Sequence, residues 1–238
     1  MKTILLTRSQ QNAGPSITRL NGLGYRTLSC PIMKITEATF DHHTTATNII
    51  VTSQNGVEYG LKYINDRSKH VFAVGSKTET AARAIGFHNI TTGPGTAEEL
   101  YQLILDQHKS ANFEQQAENS FCHLAGTEIA FDIVQKLTSK AIKSEIRTVY
   151  KAVEEDNIAE KLEDLIKNNE ISTVLFYSAQ AATIFEQIIH RAQIKKALRN
   201  ITAISLSKRI DQRLQYTWAM KKIAREPNED SLFKMLEW

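Results

Sequence analysis

The sequence predicts an α/β protein with two similar parallel-sheet domains, and three observations point to that class. The chain has 238 residues, which is enough for one large domain or two small ones. Short runs rich in β-branched residues alternate with segments of helical spacing, a pattern typical of parallel sheets covered by helices. An internal repeat at about half the chain length indicates two related halves.

Ten runs are predicted as strands, more than one small sheet accommodates. In chain order they are Thr3 to Thr7, Tyr25 to Cys30, Asn48 to Thr52, His70 to Val74, His88 to Thr91, Ser120 to Leu124, Glu145 to Val153, Thr173 to Tyr177, Ile201 to Leu206 and Lys222 to Arg225. Helical segments lie between them. Capping boxes starting at Ser76 and Thr96 mark helix starts, and Gly24 and Gly86 stand where helices end.

Three pairs of segments carry the repeat and keep their order in both halves. Residues 51 to 57 are similar to 176 to 182, residues 72 to 77 match 203 to 208, and residues 97 to 104 match 229 to 236. Two domains of similar fold are therefore expected.

Composition and motifs exclude several function classes. The net charge is only +3, so we do not expect the whole surface to bind nucleic acid or a membrane. The first apolar run, Ile4 to Leu6, is too short for a signal peptide, and no window has the apolar length of a membrane helix, so a cytoplasmic protein is expected. The fingerprints of dinucleotide-binding, nucleoside-triphosphate-binding, zinc-protease and serine-hydrolase sites are absent from the sequence.

Two cysteines and one histidine pair are the remaining candidates for thiol or metal chemistry. Cys30 and Cys122 lie in strand-like runs, where they act either as buried apolar residues or as the two thiols of a racemase. The segment Asp41-His42-His43 is either a solvated loop or a partial metal site that lacks a fourth ligand at suitable spacing.

A strand that ends in a small polar residue and runs directly into a helix recurs five times. These turns are Ser53-Gln54-Asn55, Gly75-Ser76-Lys77-Thr78, Gly126-Thr127, Ser178-Ala179-Gln180 and Ser207-Lys208-Arg209. The N–H groups of such turns favour carboxylates or phosphates, although the same residues also serve as ordinary N-caps. Residues 191 to 225 carry a net charge of +9, which indicates a solvated face, a wall for an acidic ligand or, less favoured, a nucleic-acid patch.

Together these segments resemble the uroporphyrinogen-III synthase family over essentially the whole chain. The resemblance is carried by residues 4 to 10, 51 to 57, 72 to 78, 147 to 150, 175 to 182 and 229 to 236. The sequence departs from the family at Leu206-Ser207-Lys208-Arg209, where the family has a Gly-Pro-Thr-like turn.

The resemblance implies two α/β domains joined by two extended connectors, with a ligand cleft between the domains. Domain 1 would comprise residues 1–35 and 152–238, and domain 2 would comprise 36–151. The connectors would be Pro31 to Glu37 and Val149 to Glu155. The first two and the last three predicted strands would form one five-stranded sheet, and the other five strands would belong to domain 2.

The implied activity is that of a lyase of haem biosynthesis, which cyclises hydroxymethylbilane to uroporphyrinogen III. Loss of water and inversion of the last pyrrole ring need no cofactor. The implied partner is this linear tetrapyrrole alone, with no nucleic acid or membrane, and the protein would be a monomer. The alternative is a non-catalytic two-lobed module that binds anions or has a regulatory role.

The resemblance also implies roles for particular residues. Tyr150 would assist departure of hydroxide, although a half-buried strand aromatic explains it equally well. Turn residues that match the family's cleft would bind substrate, and basic residues would contact its carboxylates. The turn residues are Ser53, Thr78 and Ser178, and the basic residues are Lys77, Lys208 and Arg8.

Overall fold

The computed structural model describes residues 3–8, 10–110 and 119–236. These residues fall into two compact units. Unit 1 comprises Met1–Lys34 and Val153–Trp238, and unit 2 comprises Ile35–Ala152. The chain therefore leaves unit 1 after its first two strands and returns to it later.

The elements alternate along the chain as the sequence predicts. The strands are β1 (Thr3–Leu6), β2 (Arg26–Ser29), β3 (Met33–Glu37), β4 (Asn48–Val51), β5 (His70–Ala73), β6 (Ile90–Thr92), β7 (Ser120–Gly126), β8 (Lys143–Glu154), β9 (Thr173–Phe176), β10 (Thr202–Ser205) and β11 (Met220–Ile223). The helices are α1 (Gln10–Gly22), α2 (Gln54–Tyr59), α3 (Ser76–Ala84), α4 (Ala97–Ser110), α5 (Ile133–Thr138), α6 (Ile158–Lys167), α7 (Ala179–Arg191), α8 (Lys208–Asp211) and α9 (Glu229–Lys234). Short 3₁₀ turns occur at Leu61–Tyr63 and Lys195–Asn200.

Unit 1 is built on a five-stranded parallel sheet in the order β11-β10-β9-β1-β2. This confirms the five strands predicted for that sheet, although β11 lies two residues before the predicted run. Successive side chains of β1 enter different cores, because strand side chains alternate between faces. Leu5 packs with Leu162 of α6 and Phe185 of α7 on one face. Ile4 packs with Leu20 of α1 on the other.

Unit 2 is built on a six-stranded sheet in the order β3-β8-β7-β4-β5-β6. Five strands were expected, so that count was wrong. The connector predicted at Pro31 to Glu37 contains β3, which is hydrogen-bonded to β8. An extended connector exposes backbone N–H and C=O groups, and pairing with the neighbouring extended segment satisfies them.

The core of unit 2 also lies on both faces of its sheet. Val57 of α2 and Ala82 of α3 pack on the face that carries Val51. Leu100 of α4 and Ile133 of α5 pack on the face that carries Ile50. Burial of both faces explains why these strands read as almost continuous apolar runs.

Five strands of each sheet follow the same spatial order, which gives the sequence repeat a structural meaning. The order β11-β10-β9-β1-β2 corresponds to β6-β5-β4-β7-β8. The repeated segments in the sequence fall at equivalent places: after β4 and β9, after β5 and β10, and in α4 and α9. Within the described part of the chain, no helix has the length and apolar character needed to cross a membrane.

Candidate active site

Tyr150 lies near the end of β8 in unit 2, and its side chain reaches across the neighbouring strand. The strand order is β8-β7-β4, so β7 separates Tyr150 from the turn that follows β4. Strands two apart are separated by roughly 10 Å. The Tyr150 ring crosses this gap over Gly126, which pairs with Tyr150 beside a register shift between β7 and β8.

Gly126 makes this crossing possible. A Cβ atom at position 126 would lie 2.5 Å from Cε2 and 2.7 Å from Cζ of Tyr150. Contacts this short do not occur between carbon atoms, so only glycine leaves room for the ring. In the turn Gly126-Thr127, glycine is therefore required because it has no side chain.

The Tyr150 hydroxyl meets the Ser53 hydroxyl on the far side of β7. Their oxygens are 3.1 Å apart. Ser53 is the N-cap of α2, and its Oγ accepts a hydrogen bond from the Gly56 N–H at 3.1 Å. Because Ser53 Oγ already accepts this bond, its own hydrogen can be donated to Tyr150 Oη. The phenolic proton is then available to another acceptor.

Close packing of α2 places Ser53 against β7. A Cβ atom at Gly56 would lie 2.7 Å from the Leu124 carbonyl oxygen, so the first turn of α2 approaches the backbone of β7 directly. Two of the predicted site residues, which are 97 positions apart in the chain, are brought together in this way.

A second polar pair fixes the residue before Ser53. Thr52 Oγ1 lies 3.0 Å from Nε2 of His123 on β7. His123 is only 1% exposed, and burial lowers the pKa of its imidazole to about 4, while the negative charge of Asp132 acts weakly in the opposite direction. Sequence reasoning missed His123, because a histidine in an apolar strand carries no signal of its partner.

Ser178 occupies the equivalent position in unit 1. It is the N-cap of α7, and its Oγ accepts from the Ala181 N–H at 3.1 Å, as Ser53 does from Gly56. The preceding residue differs, since Tyr177 stands where unit 2 has Thr52. Burial raises the pKa of the Tyr177 hydroxyl, which keeps this phenol neutral.

Arg8 is engaged by side chains of unit 1. Its guanidinium lies 4.4 Å from the centre of the Tyr177 ring. It donates hydrogen bonds to Ser16 Oγ at 2.9 Å and to Glu229 Oε1 at 2.8 Å. In this structure the carboxylate that Arg8 contacts belongs to α9.

The other predicted binding residues differ in accessibility. Lys77 and Lys208 are exposed at the first turns of α3 and α8, at equivalent places in the two units. Thr78 is 4% exposed, so contact with a ligand would require it to be uncovered. Ser207, in the turn that departs from the family, precedes α8 in an extended conformation and makes no capping bond with its side chain.

Part of the basic stretch is neutralised within unit 1. Arg191 pairs with Glu154, and Lys221 lies 3.2 Å from Asp211.

A cavity of about 660 Å³ lies beside α7 and contains none of the predicted site residues. Glu186, at its wall, accepts hydrogen bonds from the backbone N–H groups of residues 215 and 216.

The cysteines are buried in the core, and the histidine pair is held by contacts within its own unit. Both thiols are fully buried, and burial raises the pKa of Cys30 to about 11 and that of Cys122 to about 12, which opposes the thiolate that a racemase uses. The His42 ring stacks on Tyr63 at 4.5 Å between centroids, and Asp41 accepts from the His43 N–H. Across residues 3–8, 10–110 and 119–236, no three His, Cys, Asp or Glu side chains are grouped as metal ligands would be.

The protein is thus a two-unit α/β protein of repeated strand order, with hydroxyl-capped turns at the carboxyl ends of its parallel strands. Open sheets of this class bind ligands at those strand ends. The family model described as Uroporphyrinogen-III synthase HemD matches residues 16–234. The chain belongs to the uroporphyrinogen-III synthase family and is a lyase of porphyrin biosynthesis.

Solved structures of two bacterial proteins share this fold. The uroporphyrinogen-III synthetase of Helicobacter pylori is 18% identical, with a TM-score of 0.64, over 99% of this chain and 98% of that one. A mutant uroporphyrinogen III synthase of Thermus thermophilus is 12% identical, with a TM-score of 0.55, over 100% of this chain and 98% of that one. At these identities the likeness concerns the fold. No curated protein matches the chain.

Proposed function

We propose that the chain cyclises hydroxymethylbilane to uroporphyrinogen III, with Tyr150 as the proton donor to the leaving hydroxyl. The observation that carries the assignment of Tyr150 is its hydrogen bond with Ser53 at the carboxyl edge of unit 2. The family supports the reaction, and the geometry supports the role of this residue.

The proposed chemistry begins with departure of water. Electrons from the pyrrole nitrogen expel the hydroxyl group while Tyr150 Oη protonates it, so that water, an azafulvenium cation and the Tyr150 phenolate form. Ser53 donates its hydrogen to the resulting phenolate, which stabilises the charge at the moment it develops. After ring closure through a spiro intermediate and rearrangement, a pyrrole carbon loses one proton, and the phenolate can recover it. The balance is one bilane to one macrocycle and one water.

Positioning contributes more than acid catalysis to this reaction. The bilane closes unaided to the type I isomer, so the enzyme must hold the last ring in the conformation that leads to inversion. Ser178, Lys77 and Lys208 are proposed to bind the carboxylates of the substrate, because they lie in turns at the starts of helices. Contacts of Arg8 and Thr78 with substrate stay predictions, because Arg8 is paired with Glu229 and Thr78 is buried.

The experiment is an isomer assay on purified protein. Hydroxymethylbilane is added without metal or nucleotide, and the products are oxidised and separated by chromatography. We expect the type III isomer. Type I alone would show that the chain does not catalyse the inversion, and affinity for an oligocarboxylate without turnover would favour the anion-binding alternative.

Tyr150→Phe tests the proton donor. We expect kcat to fall by about 100-fold, a typical contribution of a general acid, while the type III isomer is still formed. Tyr63→Phe is the matched control, since the Tyr63 hydroxyl is bonded to Glu37 in the same unit. Unchanged turnover of the Tyr150 variant would remove this residue from the mechanism.

Three further features stay proposals. The two units are proposed to be the domains 1–35 with 152–238 and 36–151, and the ligand cleft implied by the family stays a prediction. The protein is proposed to act as a cytoplasmic monomer on its tetrapyrrole substrate. Light scattering on the purified chain measures the oligomeric state.

A further inference from the structure

We propose that His123 and Thr52 are positioning residues that hold the Ser53–Tyr150 pair in its reactive geometry. The role rests on the function proposed above, because it concerns the same hydroxyl pair. Neither residue needs to touch substrate, since both would act through the turn between β4 and α2.

The turn is held from both faces of the sheet. His123 pairs with Ile50 of β4 in the ladder, and Thr52 follows Ile50 by two residues. Opposed residues in a ladder and residues two apart in a strand share a face, so His123 and Thr52 lie on the face covered by α4 and α5. Tyr150 packs with the core on the opposite face. Thr52 and Ser53, adjacent in the chain, are therefore fixed from opposite faces.

His123 is a costly residue to bury in this strand. All seven residues of β7 are buried, and within the described part of the chain His123 Nδ1 has no hydrogen-bond partner. Burying an imidazole with one unsatisfied nitrogen is unfavourable, and an apolar side chain would fill the same space without that cost. Among the described residues, Thr52 is the hydrogen-bond partner of the His123 side chain.

The neutral state of His123 makes this bond insensitive to pH in the working range. A neutral ring has one N–H and one bare nitrogen, and the Thr52 hydroxyl can accept from the first or donate to the second, so Nε2 bonds to Thr52 Oγ1 in either tautomer. Asp132 is the carboxylate whose charge acts on the ring, and its Oδ1 accepts from the Gln135 N–H as the N-cap of α5. The bond with Thr52 therefore persists at neutral pH.

Loss of the His123–Thr52 bond frees the residue that precedes the Ser53 cap. A shift of this turn lengthens the 3.1 Å contact between Ser53 and Tyr150. Misplacement of a catalytic group by about 1 Å lowers rates by up to 10²-fold. The effect should fall on kcat, while KM stays unchanged, because the carboxylate contacts of the substrate lie elsewhere.

The test uses two substitutions that break the bond from opposite sides. Thr52→Val removes the hydroxyl and keeps the shape, and His123→Asn places its polar atoms too near the backbone to reach Thr52. We expect each to lower kcat about tenfold with KM unchanged. His123→Gln carries a polar atom near the position of Nε2, so it should recover most of the rate. Thr52→Val leaves the buried histidine in place, so the test survives if the His123 variants fold poorly.

Each substitution is repeated in the Tyr150→Phe background. A positioning role predicts no further loss of kcat there, because the hydroxyl being positioned is already absent. The same factor in both backgrounds, or no loss in either, would overturn the proposal. A Tyr150→Phe enzyme with full activity would overturn it together with the role of Tyr150, whereas a wild-type enzyme that gives only type I product refutes the function itself.

A second histidine–threonine pair supplies the control. His70 Nε2 lies 2.8 Å from Thr91 Oγ1 in the same sheet, where His70 begins β5. Thr91→Val and His70→Gln remove or replace the same chemistry far from the carboxyl edge. We expect unchanged kcat for both.

Discussion

Gly126→Ala is the sharpest test of how Tyr150 reaches Ser53. The added methyl carbon would lie 2.5 Å from Tyr150 Cε2, and ordinary contact begins at 3.4 Å, so the ring must retreat by about 0.9 Å. The φ angle of Gly126 lies outside the left-handed region, so alanine adds no backbone strain. The substitution acts on the ring alone.

The retreat breaks the contact between the two hydroxyl groups. At 3.1 Å the oxygens are already at the upper limit for O–H···O bonds, so we expect a ring shift of this size to break the bond. We expect kcat to fall by about 10- to 100-fold through misplacement of the proton donor. Overpacking at this site should lower the free energy of unfolding by about 1–3 kcal/mol.

The assay is steady-state turnover of hydroxymethylbilane, with urea unfolding measured on the same samples. Gly14→Ala is the matched control, because a Cβ atom at this exposed position of α1 has no atom within 4 Å. It should keep full activity, and its free energy of unfolding should change by less than about 1 kcal/mol, because Pro15 follows and opposes the helical gain of alanine. Wild-type kcat in the Gly126 variant would refute the view that the glycine admits a catalytic ring.

Three other outcomes follow from the structure. His123 has a folded pKa of about 4 against an ordinary 6.5, so its suppressed protonation has no effect on stability well above pH 6.5 and lowers the free energy of unfolding by roughly 3 kcal/mol as pH falls to 4. Between pH 7.5 and pH 5, urea titrations should show a larger fall in the free energy of unfolding for wild type than for His123→Gln. An equal fall in both proteins would contradict the depressed pKa. Ser53→Ala and Ser178→Ala should each cost about 1 kcal/mol as lost caps, but only the Ser53 variant should lower kcat, whereas the Ser178 variant should raise KM. Cys30 and Cys122 should resist a thiol reagent at pH 7.5 until the protein unfolds, and rapid labelling with loss of activity would revive the two-thiol mechanism.

The local sequence pattern predicted most of the strands and helices of this protein. Alternation of strands and helices, the repeat and the polar residues at strand ends are properties of neighbouring residues, and sequence displays them directly. Ser53 and Ser178 were recognisable as residues at helix starts for this reason, and both are N-caps. The strand in the first connector was missed because its partner, β8, lies more than 100 residues further along the chain.

Strand order decides which residues come together in the site. Tyr150 and Ser53 were each identifiable as candidates, but their contact exists because β7 lies between β8 and β4 and presents glycine at the crossing. Arg8 was recognisable as a candidate for substrate contact, but its ion pair with Glu229 joins residues 221 positions apart in the chain. Neither outcome follows from residues near in sequence.

The sequence by itself determined the class of fold, the duplication and the kinds of side chain at the strand ends, because periodicity and capping act over a few residues. Only the tertiary structure decided which of those side chains meet. Hydrogen bonds act over about 3 Å, so a functional role for Tyr150, Ser53 or His123 depends on the sheet order that places them within that distance.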